Sequence, residues 1–142
     1  MKPETDQILN LSALKLMTEL APAMGAQYDQ GMTQVVAALL IMSAQEYDRA
    51  ADIRAAENAD MRALFADLAP MVGDAGLRKE LEAAAVERDG SLRVSALNAV
   101  NERLRRLLIR LQVHVEDVGG DTRRIWVVLK AMAARRALVL PG

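Results

Sequence analysis

The chain has no cysteine among its 142 residues, only one histidine, and four aromatic side chains: one Trp, two Tyr and one Phe. Without cysteine there are no disulfides, no thiolate nucleophile and no cysteine-ligated metal. A single histidine cannot supply the two Glu-x-x-His pairs of a di-iron carboxylate bundle, nor a His-rich zinc site. Trp126 is the only aromatic in the C-terminal half, which leaves no stacking platform for nucleic-acid bases. No Gly-x-Ser-x-Gly elbow, Walker loop or dinucleotide fingerprint occurs. Asn-Gly or Asp-Gly hairpin signals between alternating apolar runs are missing too, since Asp89-Gly90 separates two helical patterns. The longest uncharged stretch, Gln30 to Gln45, falls short of the ~20 predominantly apolar residues of a membrane span. The start, Met-Lys-Pro-Glu-Thr-Asp, lacks the basic region and apolar run of a secretory signal. These absences predict no resident metal or cofactor, no membrane, no nucleic acid, and a cytoplasmic location.

What is present is helical. Hydrophobic residues make up 52% of the chain and are mostly Leu, Val, Ala and Met. The fold class expected is all-α, a single domain over residues 1–142: a largely antiparallel bundle of five or six helices with a long apolar central helix. The first helix is expected near 6–21, capped by Thr5 or Asp6, with Leu9, Leu14, Met17 and Leu20 on one face. The second starts near Tyr28 and meets no proline until Pro70. Unbroken to Leu68 it would be roughly 60 Å long, against a radius of gyration of about 14 Å for a domain of this size. A bend is therefore expected near Ala55 to Asn58, with Asn58 as a new cap.

Glu19-Leu20-Ala21-Pro22-Ala23-Met24-Gly25 recurs as Asp67-Leu68-Ala69-Pro70-Met71-Val72-Gly73. Both read as the same helix end, because proline disfavours the helical conformation before it and glycine permits the turn after it. A short helix is expected from Ala75 to Glu87. Another, opened by Ser91 or Ser95, carries Leu97, Val100, Leu104, Leu107, Leu111 and Val118 at alternating spacings of three and four, with His114 at the vacant seam position. Gly119-Gly120 ends it. Asp121 or Thr122 caps a last helix that buries Ile125, Val128, Leu129 and Met132. The apolar tail from Leu138 to Gly142 is expected to lie on the body or on a second subunit.

Charge is divided along the chain. Residues 1–90 hold 8 Lys and Arg against 15 Asp and Glu, a net of −7, and residues 91–142 hold 10 against 4, a net of +6. Opposite fields in one chain argue for docking of the two halves, within a subunit or between two. Arg103, Arg106 and Arg110 form a stripe with Arg105, Arg123 and Arg124 near it in sequence, suited to phosphates or carboxylates if left uncovered. Glu46 at the end of the apolar helix, Arg49 one turn on, and His114 are candidates to converge on a small-ligand pocket. The carboxylates Glu46, Asp48, Asp52, Glu57 and Asp60 are interleaved with Arg49, Arg54 and Arg62, the pattern of a solvated, salt-paired helix surface.

The uncharged helix from Val36 to Met42 running to Gln45-Glu46, and Leu97-Asn98-Ala99 leading into Arg103–Leu111, resemble a family of small bacterial helical proteins of unknown function. That family is often encoded beside acyl-CoA dehydrogenases and aminoglycoside-phosphotransferase-like proteins. This chain lacks the Arg-Glu pair of the family at the end of the Glu46 helix. The family has no established catalytic residues, so the resemblance implies only a setting: cytoplasmic, as an accessory to acyl-CoA metabolism. The function expected is a non-catalytic interaction protein, a homodimer that assists a metabolic enzyme. The alternative is a binder of a small anionic or acyl ligand, through the Arg103, Arg106 and Arg110 stripe or a Glu46, Arg49 and His114 pocket.

Overall fold

A computed structural model describes residues 2–139. These residues are all-α, with no strand among them. The helices are α1 (Thr5–Lys15), α2 (Gln27–Leu68), α3 (Ala75–Val86), α4 (Val94–Asp117) and α5 (Arg123–Arg136). They are distributed over two compact units, residues 1–50 with 138–142 and residues 51–137. The tail residues Leu140, Pro141 and Gly142 lie outside the described part, while Val139 is exposed.

In the first unit, α1 begins one residue before the sequence expectation. Its cap is Glu4, whose N–H donates to Gln7 Oε1 at 3.3 Å, rather than Thr5 or Asp6. The helix widens to a π-helical segment over Leu16–Leu20, where the Ala21 N–H reaches back to the Leu16 carbonyl. The proline ring at Pro22 would crowd the Thr18 carbonyl in a regular α-helix, and the wider turn relieves that. A closing turn, Ala21–Ala23, ends with the Met24 N–H on the Ala21 carbonyl at 3.2 Å. Gln30 Nε2 then donates to the Met24 carbonyl at 2.6 Å and fastens the entry of α2, whose first part shares the first unit with α1.

The repeated proline motif is the same device at both places. Ala69–Met71 forms a single 3₁₀ turn in which the Val72 N–H meets the Ala69 carbonyl at 3.1 Å, and backbone extends after each turn, at Met24 and at Val72.

The expected break near Ala55–Asn58 does not occur: α2 is continuous from Gln27 to Leu68. Asn58 does not cap. Its side chain is fully buried and bonded to residues 31 to 43 positions away, which offsets the modest helix propensity of asparagine.

The second unit packs Met61, Phe65, Leu81, Leu104, Leu111 and Ile125 with no solvent exposure, drawing on α2, α3, α4 and α5. Each such side chain contributes roughly 1.5–3 kcal/mol by leaving water. The heptad of α4 is buried or partly buried from Leu97 to Leu111, but Val118 is exposed, so the seam ends before the helix does. On α5, Ile125 and Met132 are buried with Val128 and Leu129 packed beside them, as the spacing predicts. Asp74 caps α3 by accepting the Leu77 N–H at 2.8 Å. Neither Ser91 nor Ser95 caps α4, whose N-cap position is Arg93. Beyond its C-terminal end, Gly119 takes a φ of +69°. The Gly119 N–H bonds the Glu116 carbonyl at 3.0 Å and the Gly120 N–H bonds the Val115 carbonyl at 2.8 Å, a Schellman ending.

Candidate functional site

The second unit contains a polar cluster inside its apolar frame. Glu57 and Asn58 on α2 are fully buried, and Asn101 on α4 is nearly so. Arg136, at the last turn of α5, donates through Nε and Nη2 to the two Glu57 carboxylate oxygens at 2.7 and 2.8 Å. Asn101 Nδ2 donates to Glu57 Oε2 and to Asn58 Oδ1, both at 3.0 Å. Asn58 Nδ2 and Arg62 Nη2 in turn meet Asp89 Oδ1, at 3.2 and 2.8 Å. Arg54 donates to the Asn98 side chain. Burial pushes the Glu57 carboxyl upward, but the Arg136 and Asn101 hydrogen bonds with the Arg136 charge outweigh it, and its pKa ends below the ordinary glutamate value. Glu57 is therefore an ionised, saturated group. Its carboxylate oxygens are occupied by donors from α4 and α5, which suits it to fixing helix register rather than to moving protons.

Sequence reading placed Glu57 on a solvated surface. The signal that locates it is spacing: Glu57 and Asn58 stand four and three residues before buried Met61, and Asn101 stands between buried Leu97 and Leu104 at helical spacing from both. All three continue apolar faces.

The arginine stripe of α4 is covered by carboxylates. Arg110 donates to Glu80 of α3 at 2.5 and 3.0 Å, Arg103 pairs with Glu87, and Arg106 faces Glu102 one turn back on its own helix at 3.4 Å. Arg124 pairs with Asp67 and Arg135 with Asp60. Apart from Arg106–Glu102, these pairs, with Arg136–Glu57, join arginines from residues 91–142 to acids from residues 1–90. The divided charge thus meets itself inside the second unit.

His114 is half-buried near the end of α4. It borders a depression of about 280 Å³ whose other walls include Leu68, Val72, Val115 and Val118. Its imidazole has no hydrogen-bond partner among the described residues. Glu46 and Arg49, its expected companions, are half-buried on the portion of α2 that belongs to the first unit. Among the described residues no group of three His, Asp or Glu side chains is arranged to hold a metal ion, and no helix is long and apolar enough to cross a membrane.

The first unit contrasts with this order. Its fully buried residues, among those described, are alanines: Ala13, Ala21, Ala37, Ala44 and Ala50. Many of its large apolar side chains point to solvent, while Leu9, Leu16, Leu40, Ile41 and Met42 are half-buried. On α1 and its π-helical continuation, Ile8, Leu11, Leu14, Met17 and Leu20 are 38–64% exposed. On α2, Met32, Val35, Val36 and Leu39 are 46–55% exposed. The spacing of these four (i, i+3, i+4, i+7) makes one stripe, on the side of the helix away from Ala37 and Ala44. This face was not singled out from sequence because an apolar run with a buried side and an exposed side looks the same as a helix buried all round. No protein-family model, characterised protein or solved structure matches the chain.

Proposed function

We propose that this chain is a non-catalytic interaction protein: the second unit is a stitched helical frame and the first unit presents an apolar face to another protein. The observation that carries this reading is that the fully buried residues of the first unit are alanines while Ile8, Leu11, Leu14, Val35, Val36 and Leu39 stand in water. An exposed apolar stripe such as Met32, Val35, Val36 and Leu39 on α2 marks interaction sites. The resemblance noted above adds the setting, a bacterial cytoplasm in which the protein is an accessory to an enzyme of acyl-CoA metabolism. Site-specific photocrosslinking in cells tests the reading. A benzophenone amino acid at Leu14 or Leu39 is expected to give a discrete protein adduct, identified by mass spectrometry, while the same probe at exposed Val86 gives none. Equal, diffuse adducts at all three positions, or no adduct at Leu14 and Leu39, contradict it.

A second reading is a small acyl-ligand binder, favoured by the His114 imidazole beside Leu68, Val72 and Val118, with Arg124 in the same depression. Shifts of the His114 ring resonances on titration with a short acyl-CoA support it, and unchanged resonances at millimolar ligand remove it. The arginine stripe does not strengthen this reading, because Arg103 and Arg110 already hold carboxylates that a ligand would have to displace.

A further inference from the structure

After Arg136 the chain leaves α5 in an extended conformation, with Ala137 at φ −59° and ψ 129°. Two residues on, it meets the Gln45 side chain of α2, which makes two hydrogen bonds with a single residue. Gln45 Nε2 donates to the Val139 carbonyl at 2.7 Å, and Gln45 Oε1 accepts the Val139 N–H at 2.9 Å. We infer that Gln45 is the centre of a seat for the main chain of an extended apolar peptide, and that the chain's own tail fills this seat in cis and must be displaced before a partner's segment can enter.

The chemistry of the two bonds supports the seat. A primary amide carries the same donor and acceptor as a peptide group. Exchanging both with one residue reproduces the pairing that a neighbouring strand offers in an antiparallel ladder. A glutamine at the surface needs no such arrangement to be satisfied, because water serves it equally well. Both bonds go to main chain, so they hold a segment without reading the side chain between them. The Val139 side chain is accordingly 74% exposed.

The surroundings decide the class of segment. Ala38, Ile41 and Met42 stand seven, four and three residues before Gln45, on its own side of α2, and all three are half-buried. No charged residue occurs from Gln30 to Gln45. Leu138, beside the paired residue, is half-buried too. The seat therefore suits an apolar residue followed by one with a free N–H and carbonyl, and it offers no charge to select an acidic or basic peptide. Gln45 lies about 120° around the helix from Leu39, so this seat is separate from the exposed stripe of residues 32–39 and does not depend on it.

The strength of attachment suits a strap that can lift. Two neutral hydrogen bonds at the surface favour the seated state by roughly 5- to 150-fold. As part of the same chain, the tail is present at an effective concentration on the order of millimolar. A free segment at lower concentration is kept out until the tail is released, which makes the tail an autoinhibitory contact.

Amide exchange and peptide binding on the full chain provide the test. In wild type the Val139 N–H is expected to exchange at least about 5-fold more slowly than in an unstructured peptide, and Gln45→Leu is expected to abolish that protection. Val139→Pro keeps the whole chain but removes the N–H that Gln45 accepts. A labelled, N-acetylated peptide of residues 138–142 is expected to bind Val139→Pro at least about 10-fold more tightly than wild type. Adding Gln45→Leu to Val139→Pro should remove the binding, and so should N-methylation of the valine in the peptide. Circular dichroism checks the helix content of each variant, and the exchange comparison of wild type with Gln45→Leu stays decisive if Val139→Pro does not fold. An unprotected Val139 amide in wild type overturns the inference, as does protection that Gln45→Leu leaves unchanged. Failure of Val139→Pro to bind millimolar peptide overturns it as well, and so does equal binding of the N-methylated peptide.

Discussion

In the second unit Met61, Phe65, Leu81, Leu104, Leu111 and Ile125 are removed from water, whereas in the first the residues removed from water are alanines, and Leu11, Leu14, Val35 and Leu39 remain outside. The polar groups differ in parallel. The second unit holds Glu57, Asn58 and Asn101 in a hydrogen-bonded cluster and ties α5 to α2 and α4 through Arg136. In the first unit the uncharged stretch of α2 has a lighter tie, Gln45, whose side chain exchanges hydrogen bonds with the Val139 backbone at 2.7 and 2.9 Å. Burial of large apolar groups, with saturated polar groups to set register, gives a unit that is complete as one chain. Burial of alanine alone gives little transfer free energy, since a methyl group hides small area. The contrast teaches that large apolar burial is concentrated in the second unit, while the first leaves much of its apolar surface in water.

Substitutions should separate the two. The largest effect is expected from Phe65→Ala, which opens a cavity in the fully buried centre and should cost about 3–5 kcal/mol in chemical denaturation of the second unit. Leu11→Ala, at a 64% exposed position, should cost far less. Equal losses at the two positions would erase the comparison.

Next in size is Glu57→Ala. It deprives the buried Asn101 amide and the Arg136 guanidinium of their acceptor, for an expected loss of about 2–4 kcal/mol by urea titration. The upper range for a fully buried pair is not reached, because Arg136 keeps part of its side chain in water and can be resolvated. Acid should reproduce part of this loss. The folded pKa of Glu57 lies below its ordinary value of 4.5, so its contribution is fully present above about pH 4.5 and is lost as pH falls through the lowered folded value. Wild type should therefore lose stability below pH 4.5 by more than Glu57→Gln does, and parallel curves would contradict the assignment. Asp121, held down to about 2 by Arg123, behaves in the same sense but loses its contribution at still lower pH.

A smaller effect is expected at the end of α4. Gly119→Ala forces a side chain into a backbone with φ of +69° and should cost about 1 kcal/mol by thermal melting. Smallest is Arg110→Gln, which removes the pair with Glu80 at the surface. A shift of about 1 °C at low salt, vanishing near 1 M, is expected for two groups that remain half in water.

The parts of the fold that can be read from sequence are those set by local rules. Pro22 and Pro70 mark their helix ends, Gly119 and Gly120 end α4, and the spacing of Leu97 to Leu111 and of Ile125 to Met132 locates the faces that are buried. The continuous course of α2 through Asn58 is not local. Asn58 looks like a cap until Asn101, Asp89 and Leu97 are beside it, and those partners are 31 to 43 residues away. Glu57 looks like a surface acid for the same reason, since its guanidinium partner is 79 residues on. The meeting of acidic and basic halves follows from composition, but which pairs form depends on packing: Arg110 finds Glu80 and Arg136 finds Glu57. The apolar face of the first unit could not be read from sequence at all. Hydrophobicity states that a side chain prefers to leave water, and only the structure shows that this chain does not cover it.

Amide hydrogen exchange on the purified chain tests the central contrast most directly. Residues 5–45 should exchange much faster than α4 and the residues around Phe65. Protection in the first unit as strong as in the second would contradict the account.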